Sequence, residues 1–150
     1  MSCFVCERID MIKSSRNPYF VSELETGYVV IGDYQHFYGY SLFLYKEHVT
    51  ELHFIPKEIR KKHLEELSLV YEAVYNAFEP EKMNCELLGN GEGGAHMHWH
   101  LFPRISGDTP TKGPVWRLPD DVLYNDKKRP SSEELGNMIE LLKSEIKHLM

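Results

Sequence analysis

Three histidines spaced two residues apart constrain this chain more than any other feature of its sequence. They are His96, His98 and His100, in the stretch GGAHMHWHLFPR at residues 93–104. In a β-strand every second side chain points to the same face, whereas a helix would spread these three around its axis. The residues between them are methionine and tryptophan, which are apolar. The pattern therefore predicts a strand with three imidazoles on one face and a dry opposite face.

The residues alone leave three interpretations of this row. The first is a half-buried strand whose polar face happens to carry histidine, and unbroken alternation of a scarce residue argues against it. The second is a three-histidine metal site with an open coordination position, as in some zinc hydrolases. The third is covalent catalysis by an imidazole held in place by its neighbours. The spacing does not separate the last two.

The composition narrows the classes of partner. A length of 150 residues, with 42% hydrophobic and 27% charged residues, suits one ordinary globular domain with its own core. The net charge of −6 argues against a nucleic-acid-binding surface. The first residues contain no apolar stretch typical of a signal peptide, and no apolar run is long enough to span a bilayer. We therefore expect a cytoplasmic protein with a small-molecule substrate.

Two cysteines near the start of the chain form a C-x-x-C motif, Cys3 and Cys6. A cytosolic protein with three cysteines is not expected to carry a disulfide framework. A thioredoxin-like redox pair needs a preceding strand, and the sequence offers none before Cys3. The motif is better explained as half of a zinc site, which needs two further ligands from elsewhere in the chain.

Hydrophobic periodicity predicts an α+β fold. Strands are expected at residues 17–24, 27–33, 39–45 and 83–88, with the histidine strand as the fifth. One long amphipathic helix is predicted over residues 56–78 and another over residues 135–149, the latter after an N-cap at Ser131 or Ser132. This order predicts a roughly five-stranded antiparallel sheet with one inserted helix and one C-terminal helix.

The same pattern suggests how the chain is divided. Residues 1–105 are expected to form the core domain. Residues 106–150 would be an extension, made of an irregular segment rich in proline and charge followed by the last helix, and packed on the same domain.

Taken together, these pieces resemble the histidine-triad (HIT) superfamily, and within it a bacterial-type branch with an N-terminal C-x-x-C zinc site. The resemblance covers residues 3 to about 105, in the family's order and spacing. It is carried by Cys3-x-x-Cys6, Asp33, the segment Gly39–Leu52, Asn90, the row His96-x-His98-x-His100, and Pro103-Arg104.

The resemblance implies a nucleotidyl hydrolase or transferase that cleaves at the α-phosphate of a dinucleoside polyphosphate, such as diadenosine tetraphosphate, or of another adenylated substrate. By resemblance, His98 is the nucleophile that carries a covalent nucleotidyl intermediate, and His100 donates to the phosphate. Asp33 would hold the ribose hydroxyls, and Asn90 would lie near the phosphate. This chemistry requires no catalytic metal. A nucleotide-binding module without turnover and a metal-dependent hydrolase are the alternatives.

The resemblance also implies a structural zinc. Its ligands would be Cys3, Cys6, His48 and His96, a closed Cys₂His₂ set. Such a site would tie the N-terminus to the histidine strand, and it would occupy one of the three histidines of the open metal site considered above. Relatives often dimerise through the long helix and a sheet edge, so a homodimer is expected.

One departure from the family pattern lies before the third strand. The family usually has Gly-His where this chain has Gly39-Tyr40. In part of the family that histidine orients the second nitrogen of the nucleophile. The sequence offers Tyr40 or His36 as a substitute.

Overall fold

A five-stranded antiparallel sheet organises the chain. The computed structural model describes residues 3–91 and 93–150. The strands are β1 (Phe20–Glu23), β2 (Gly27–Ile31), β3 (Ser41–Tyr45), β4 (Lys82–Glu86) and β5 (His98–Arg104). Their order across the sheet is β1-β2-β3-β5-β4, and every neighbouring pair is antiparallel. The predicted α+β class with a five-stranded antiparallel sheet is confirmed.

Helices lie on both faces of this sheet. In the described part of the chain they are α1 (Phe4–Lys13), α2 (Lys57–Phe78), α3 (Asp120–Leu123) and α4 (Ser132–Leu149). The sequence predicts α2 and α4 to within a few residues. It missed α1, whose apolar residues nevertheless recur at helical spacing. None of the described helices has the length and hydropathy needed to cross a membrane.

The main core lies between α2, α4 and one face of the sheet. Its central strands contribute Val29, Phe43 and Leu101, all of them fully buried. The helices contribute Val70, Val74, Met138, Leu142 and Ile146. Burial of an apolar side chain of this size stabilises the fold by about 1.5–3 kcal/mol. This packing supports the inner strand β5 from the face of the sheet that α2 and α4 cover.

The opposite face of the sheet is covered from two sides. On α1, Val5 and Ile9 pack against Tyr28, Val30 and Leu44 of β2 and β3. Near the other end of β5, a second cluster is formed by Phe37, Phe102, Val115 and Leu118. Leu44 pairs with His98 and Leu42 with His100, so both histidines share the face that α1 covers. They lie between α1 and the segment that follows β5.

The histidine strand begins later than the sequence predicts. β5 starts at His98, and His96 lies in the connection before it, where its side chain is fully buried. Two of the three histidines therefore belong to the strand itself. Glu92, in the glycine-rich stretch GNGEGG at residues 89–94, lies outside the described residues.

A buried polar network ties the far face of β5 to α2. The indole N–H of Trp99 donates to His63 Nε2 at 2.9 Å, and His63 Nδ1 lies 2.8 Å from the Thr26 hydroxyl. Because Nε2 accepts, the proton of the neutral ring is on Nδ1 and is donated to Thr26, which donates in turn to Glu66. His63 is fully buried, and burial lowers its pKa to about 4. The network fixes Trp99, which separates the two histidines of β5.

This network makes stability depend on pH. We expect the free energy of unfolding to fall as the pH drops from 6.5, the ordinary pKa of histidine, toward about 4. In that window the unfolded chain binds a proton at His63 that the folded protein does not. The loss is about 1.4 kcal/mol per pH unit for this one group.

Urea unfolding of the wild type and of His63→Gln, at constant zinc concentration, measures this effect. Glutamine cannot be protonated, so the change in unfolding free energy between about pH 7.5 and about pH 5 should be roughly 2 kcal/mol smaller in the variant. Equal changes in the two proteins would show that His63 does not carry the pH dependence.

Candidate active site and metal centre

His98 has one ring nitrogen held by a hydrogen bond, and its other ring nitrogen makes none to residues 3–91 and 93–150. Its Nδ1 lies 2.6 Å from the backbone carbonyl oxygen of His96. Since a carbonyl only accepts, Nδ1 carries the proton and Nε2 keeps its lone pair. The ring is half-buried at the start of β5, and its centroid lies 4.7 Å from that of His100. An imidazole held in this tautomer presents a nucleophilic nitrogen.

Tyr40 supports His100 rather than His98. Its hydroxyl lies 2.7 Å from His100 Nδ1, and its ring stacks on Phe102 with centroids 4.3 Å apart. Burial raises the pKa of Tyr40, so the hydroxyl keeps its proton. His100 is the hydrogen-bond partner of that hydroxyl within the described residues. The O–H therefore donates to Nδ1, and the proton of His100 is on Nε2.

The charge state of His100 follows from its surroundings. Burial, together with the neighbouring His98, lowers its pKa to about 4, so the ring is neutral near pH 7. Its Nε2–H is then a neutral donor on the same face as the His98 ring. Such a donor can stabilise charge that develops on a phosphate oxygen.

The expectation that Tyr40 or His36 orients the second nitrogen of His98 is wrong. That nitrogen is held by the backbone of His96, and His36 Nε2 lies 2.7 Å from the carbonyl oxygen of Asp108 instead. Tyr40 can approach its neighbours because Gly32 has no side chain: a Cβ there would lie 2.3 Å from the tyrosine ring.

The two predicted substrate-binding residues differ in their surroundings. Asp33 follows β2, and its carboxylate accepts two hydrogen bonds from Arg8 of α1, at 2.7 and 3.2 Å. Arg129 lies 3.8 Å from the same carboxylate. Asn90 is exposed in the connection between β4 and β5 and has no hydrogen bond to other described residues. Asp33 is therefore held in a fixed position by two arginines, whereas Asn90 is not held by side-chain contacts.

The four predicted metal ligands come together in space. Cys3 and Cys6 lie at the start of α1, His48 follows β3, and His96 precedes β5. Their ligand atoms all lie within 4.8 Å of one another, and Cys6 Sγ is 3.4 Å from Nδ1 of each histidine. Tetrahedral zinc, with bonds of about 2.1–2.3 Å, places its ligand atoms about 3.6 Å apart. The cluster has the dimensions and the Cys₂His₂ composition of a structural zinc site.

The outer contacts of the cluster also suit a metal. His96 Nε2 lies 2.6 Å from the carbonyl oxygen of Tyr45, so its proton is on Nε2 and Nδ1 is available as a ligand. In the metal-free protein, burial and the neighbouring Cys3 thiol raise the pKa of Cys6 to about 11. Zinc binding must therefore displace the thiol proton, because the thiolate is the ligand.

Comparison with known families agrees with this geometry. Residues 28–107 match the HIT domain family, which is more than half of the chain. The chain belongs to the HIT family. Membership supports a role in binding nucleotides or in hydrolysing or transferring them. Comparison with curated protein sequences gave no match.

Solved HIT-family structures share the fold. A histidine triad protein from Marinobacter aquaeolei is 23% identical, with a TM-score of 0.71, over 87% of this chain and 90% of its own. A hypothetical histidine triad nucleotide-binding protein from Sulfolobus tokodaii is 18% identical, with a TM-score of 0.72, over 96% and 93%. A zinc-bound histidine triad family protein from Mycobacterium smegmatis is 22% identical, with a TM-score of 0.60, over 99% and 96%.

Two features of the site have no counterpart in the sequence prediction. The first is Arg8, which pairs with Asp33; its position on α1 became visible only with the helix. The second is the backbone carbonyl of His96, which holds His98. No side-chain pattern could have indicated a main-chain acceptor.

Proposed function

We propose that this HIT-family protein hydrolyses or transfers nucleotidyl groups through a covalent intermediate on His98. The observation that carries the proposal is the fixed tautomer of His98, with Nδ1–H on the His96 carbonyl oxygen at 2.6 Å and the lone pair on Nε2. The substrate is a dinucleoside polyphosphate, such as diadenosine tetraphosphate, or another adenylated compound.

The first half of the reaction forms the intermediate. Nε2 of His98 attacks the α-phosphorus, a P–N bond forms, and the bond to the leaving group breaks. His100 donates its Nε2–H to a non-bridging phosphate oxygen, and Tyr40 holds it in that tautomer. Asp33 accepts from the ribose hydroxyls in exchange for part of its pairing with Arg8, and Asn90 contacts the phosphate.

The second half releases the nucleotide. Water, or a phosphate acceptor in a transfer reaction, attacks the same phosphorus, and the P–N bond breaks. The electron pair of that bond returns to Nε2, so His98 leaves as a neutral imidazole whose proton is still on Nδ1. No catalytic metal enters this scheme. Zinc held by Cys3, Cys6, His48 and His96 would fix the start of α1 against the connection that leads into β5.

The domain division and the oligomeric state belong to the same proposal. We propose that residues 1–105 form the core domain and residues 106–150 an extension of it, since α4 packs on α2 and β1. We also propose a cytoplasmic homodimer that uses α2 and a sheet edge. Ile59, Leu64 and Tyr75 are apolar and exposed along α2, which supports such an interface.

A substrate panel with intermediate trapping tests the function. The protein is incubated with diadenosine tetraphosphate, adenylated lysine and an adenosine phosphoramidate, quenched in alkali and digested for mass spectrometry. We expect AMP as a product and a peptide containing His98 with the mass of an added adenylate. Phosphoramidate links to histidine survive alkali, so the quench preserves the adduct.

The alternatives give different outcomes in the same assay. Binding of nucleotide with no product from any substrate would favour a nucleotide-binding module without turnover. The tyrosine at position 40, where the family usually has histidine, is the reason to consider this alternative. Turnover that stops on chelation while the protein remains folded would favour a metal-dependent hydrolase. Turnover with no adduct at His98 would point to direct attack by water.

A further inference from the structure

An open cleft runs along the outer side of β4 and reaches Glu86, the strand partner of His100. It has a volume of about 720 Å³, within the range of small-molecule sites. The far wall is the loop at residues 105–114. Polar side chains that line it include Glu86, Asn84, Lys82, Ser106, Thr109 and Lys112.

The far wall of the cleft is held in place by one buried arginine. Arg104, at the end of β5, donates to both carboxylate oxygens of Asp108 at 2.8 and 2.9 Å. The same guanidinium donates to Asn84 of β4 and to the carbonyl oxygen of Gly113, each at 2.8 Å. The loop is thereby fixed to both strands, so the cleft is a formed feature of the protein.

The sheet order separates this cleft from the nucleoside side of the proposed site. Asp33, proposed to bind ribose, follows β2 and pairs with Arg8 of α1. β4 lies on the other side of β5, because the order is β1-β2-β3-β5-β4. A nucleotide with its ribose at Asp33 and its phosphorus at His98 can direct its leaving group toward the β4 side.

Glu86 lines the cleft and lies beside His100. It is paired with His100 across β4 and β5, so the two side chains share a face and their Cα atoms lie about 4.5–5.5 Å apart. Its Oε2 is buried and has no hydrogen-bond partner among residues 3–91 and 93–150. A buried carboxyl oxygen left without a partner at the mouth of a cleft is costly for stability alone.

The pKa of the Glu86 carboxyl is raised above its ordinary value. Burial is the cause, and the positive charge of Arg104 opposes the shift. Burial keeps His100, Tyr40 and Cys85 neutral near pH 7, and the cations that line the cleft are Arg104, Lys82 and Lys112. A raised pKa is what a proton donor in this position requires.

We propose that this cleft receives the leaving group of the nucleotidyl substrate and that Glu86 is the residue that protonates its departing atom. The inference rests on the proposed function. As Nε2 of His98 forms its bond to phosphorus, the bond from phosphorus to the leaving atom breaks, and that atom takes the proton of the Glu86 carboxyl. In the second half the Glu86 carboxylate accepts a proton from the attacking water, which restores the acid.

This role selects a class of substrate. An amine nitrogen or an alkyl oxygen leaves phosphorus slowly unless it takes up a proton as the bond breaks. A nitrophenolate or a polyphosphate leaves readily as an anion. A proton donor at Glu86 therefore favours substrates with a basic leaving atom, such as nucleoside phosphoramidates and alkyl esters of nucleotides.

Glu86→Gln tests the proposal because glutamine keeps the shape and cannot give up a proton. Three adenylates that differ only in the leaving group are compared: an alkylamine phosphoramidate, a p-nitrophenyl ester and diadenosine tetraphosphate. We expect kcat/KM for the phosphoramidate to fall by about 100-fold or more. For the other two substrates it should change by less than about threefold, because their leaving groups need no proton.

The control is a carboxylate outside the cleft. Glu140 is exposed on α4 and is not among the residues that line the cleft. Glu140→Gln should change none of the three rates. If Glu86→Gln fails to fold, as judged by circular dichroism, Glu86→Asp keeps the acid and should retain the dependence on the leaving group at a reduced rate.

The outcomes distinguish a failure of the Glu86 role from a failure of the function proposed for His98. Equal losses on all three substrates, or no loss on the phosphoramidate, would overturn the role of Glu86 and leave the function of His98 intact. A wild-type protein that turns over none of the three, including the activated nitrophenyl ester, would overturn the proposed function and this inference with it.

The cleft itself has a separate test. Ser106→Trp places a large side chain in the far wall, away from the histidines. We expect KM for diadenosine tetraphosphate, with its bulky leaving group, to rise about tenfold, while KM for a methylamine phosphoramidate stays the same. An equal effect on both substrates, or none on either, would show that the leaving group does not occupy the cleft.

Discussion

Replacing His98 by alanine is expected to abolish turnover of every adenylated substrate while leaving nucleotide binding in place. Loss of a nucleophile removes the covalent route altogether, and the expected fall in kcat is on the order of 10⁴ to 10⁶-fold. Binding is expected to persist because Asp33, which we propose to hold the ribose, is untouched. Single-turnover kinetics measure the first effect, and calorimetry with AMP measures the second.

The control for this variant is a histidine outside the site. His148 is exposed on α4, so His148→Ala should keep the wild-type rate and melting temperature. His98→Ala should also melt close to the wild type, since its ring is only half-buried. A His98→Ala protein that turns over substrate at the wild-type rate would refute the assignment of the nucleophile.

Loss of the Cys3 and Cys6 thiols is expected to remove the bound metal and much of the stability. The wild type should contain about one zinc per chain by elemental analysis, and the double variant Cys3→Ser/Cys6→Ser should contain none. A ligand present at about 1,000 times its dissociation constant stabilises the folded state by about 4 kcal/mol. For a domain of this size, that loss lowers the melting temperature by about 10 °C.

The third cysteine provides the comparison. Cys85 is half-buried on β4 and is not part of the ligand cluster. Cys85→Ser should therefore keep the full zinc content. The double variant should also lose activity through the connection that leads into β5, because His96 is both a proposed zinc ligand and the residue whose carbonyl holds His98. A wild type that contains no zinc and melts at the same temperature as the double variant would refute the zinc site.

The sequence could predict the sheet because side-chain alternation is a local property. The alternation from His98 to Leu101 needs no knowledge of the rest of the chain to indicate a strand. The stripe of α2 is local in the same way. The sequence did not indicate α1, although Val5, Ile9 and Ile12 recur at helical spacing, because the helix has only 10 residues and its N-cap is Cys3 rather than a residue typical of that position.

The sequence could not predict how the three histidine rings are oriented, for a physical reason. Each ring is fixed by a partner distant in sequence or on the main chain: Tyr40 for His100, the Tyr45 carbonyl for His96, and the backbone of His96 for His98. Hydrogen-bond partners of this kind follow from strand register. A one-residue change in the register of β5 would move His98 and His100 to the other face of the sheet, away from Tyr40.

By itself the sequence determined the family, the antiparallel sheet and the set of residues able to bind zinc, since motif spacing and periodicity are local properties of the chain. The tertiary structure decided which nitrogen of each histidine carries the proton, that Tyr40 serves His100, and that Arg8 faces Asp33. It alone placed Glu86 beside His100 at the mouth of a cleft. These relations depend on which strands become neighbours, and that outcome is set by packing of the whole core rather than by any local pattern.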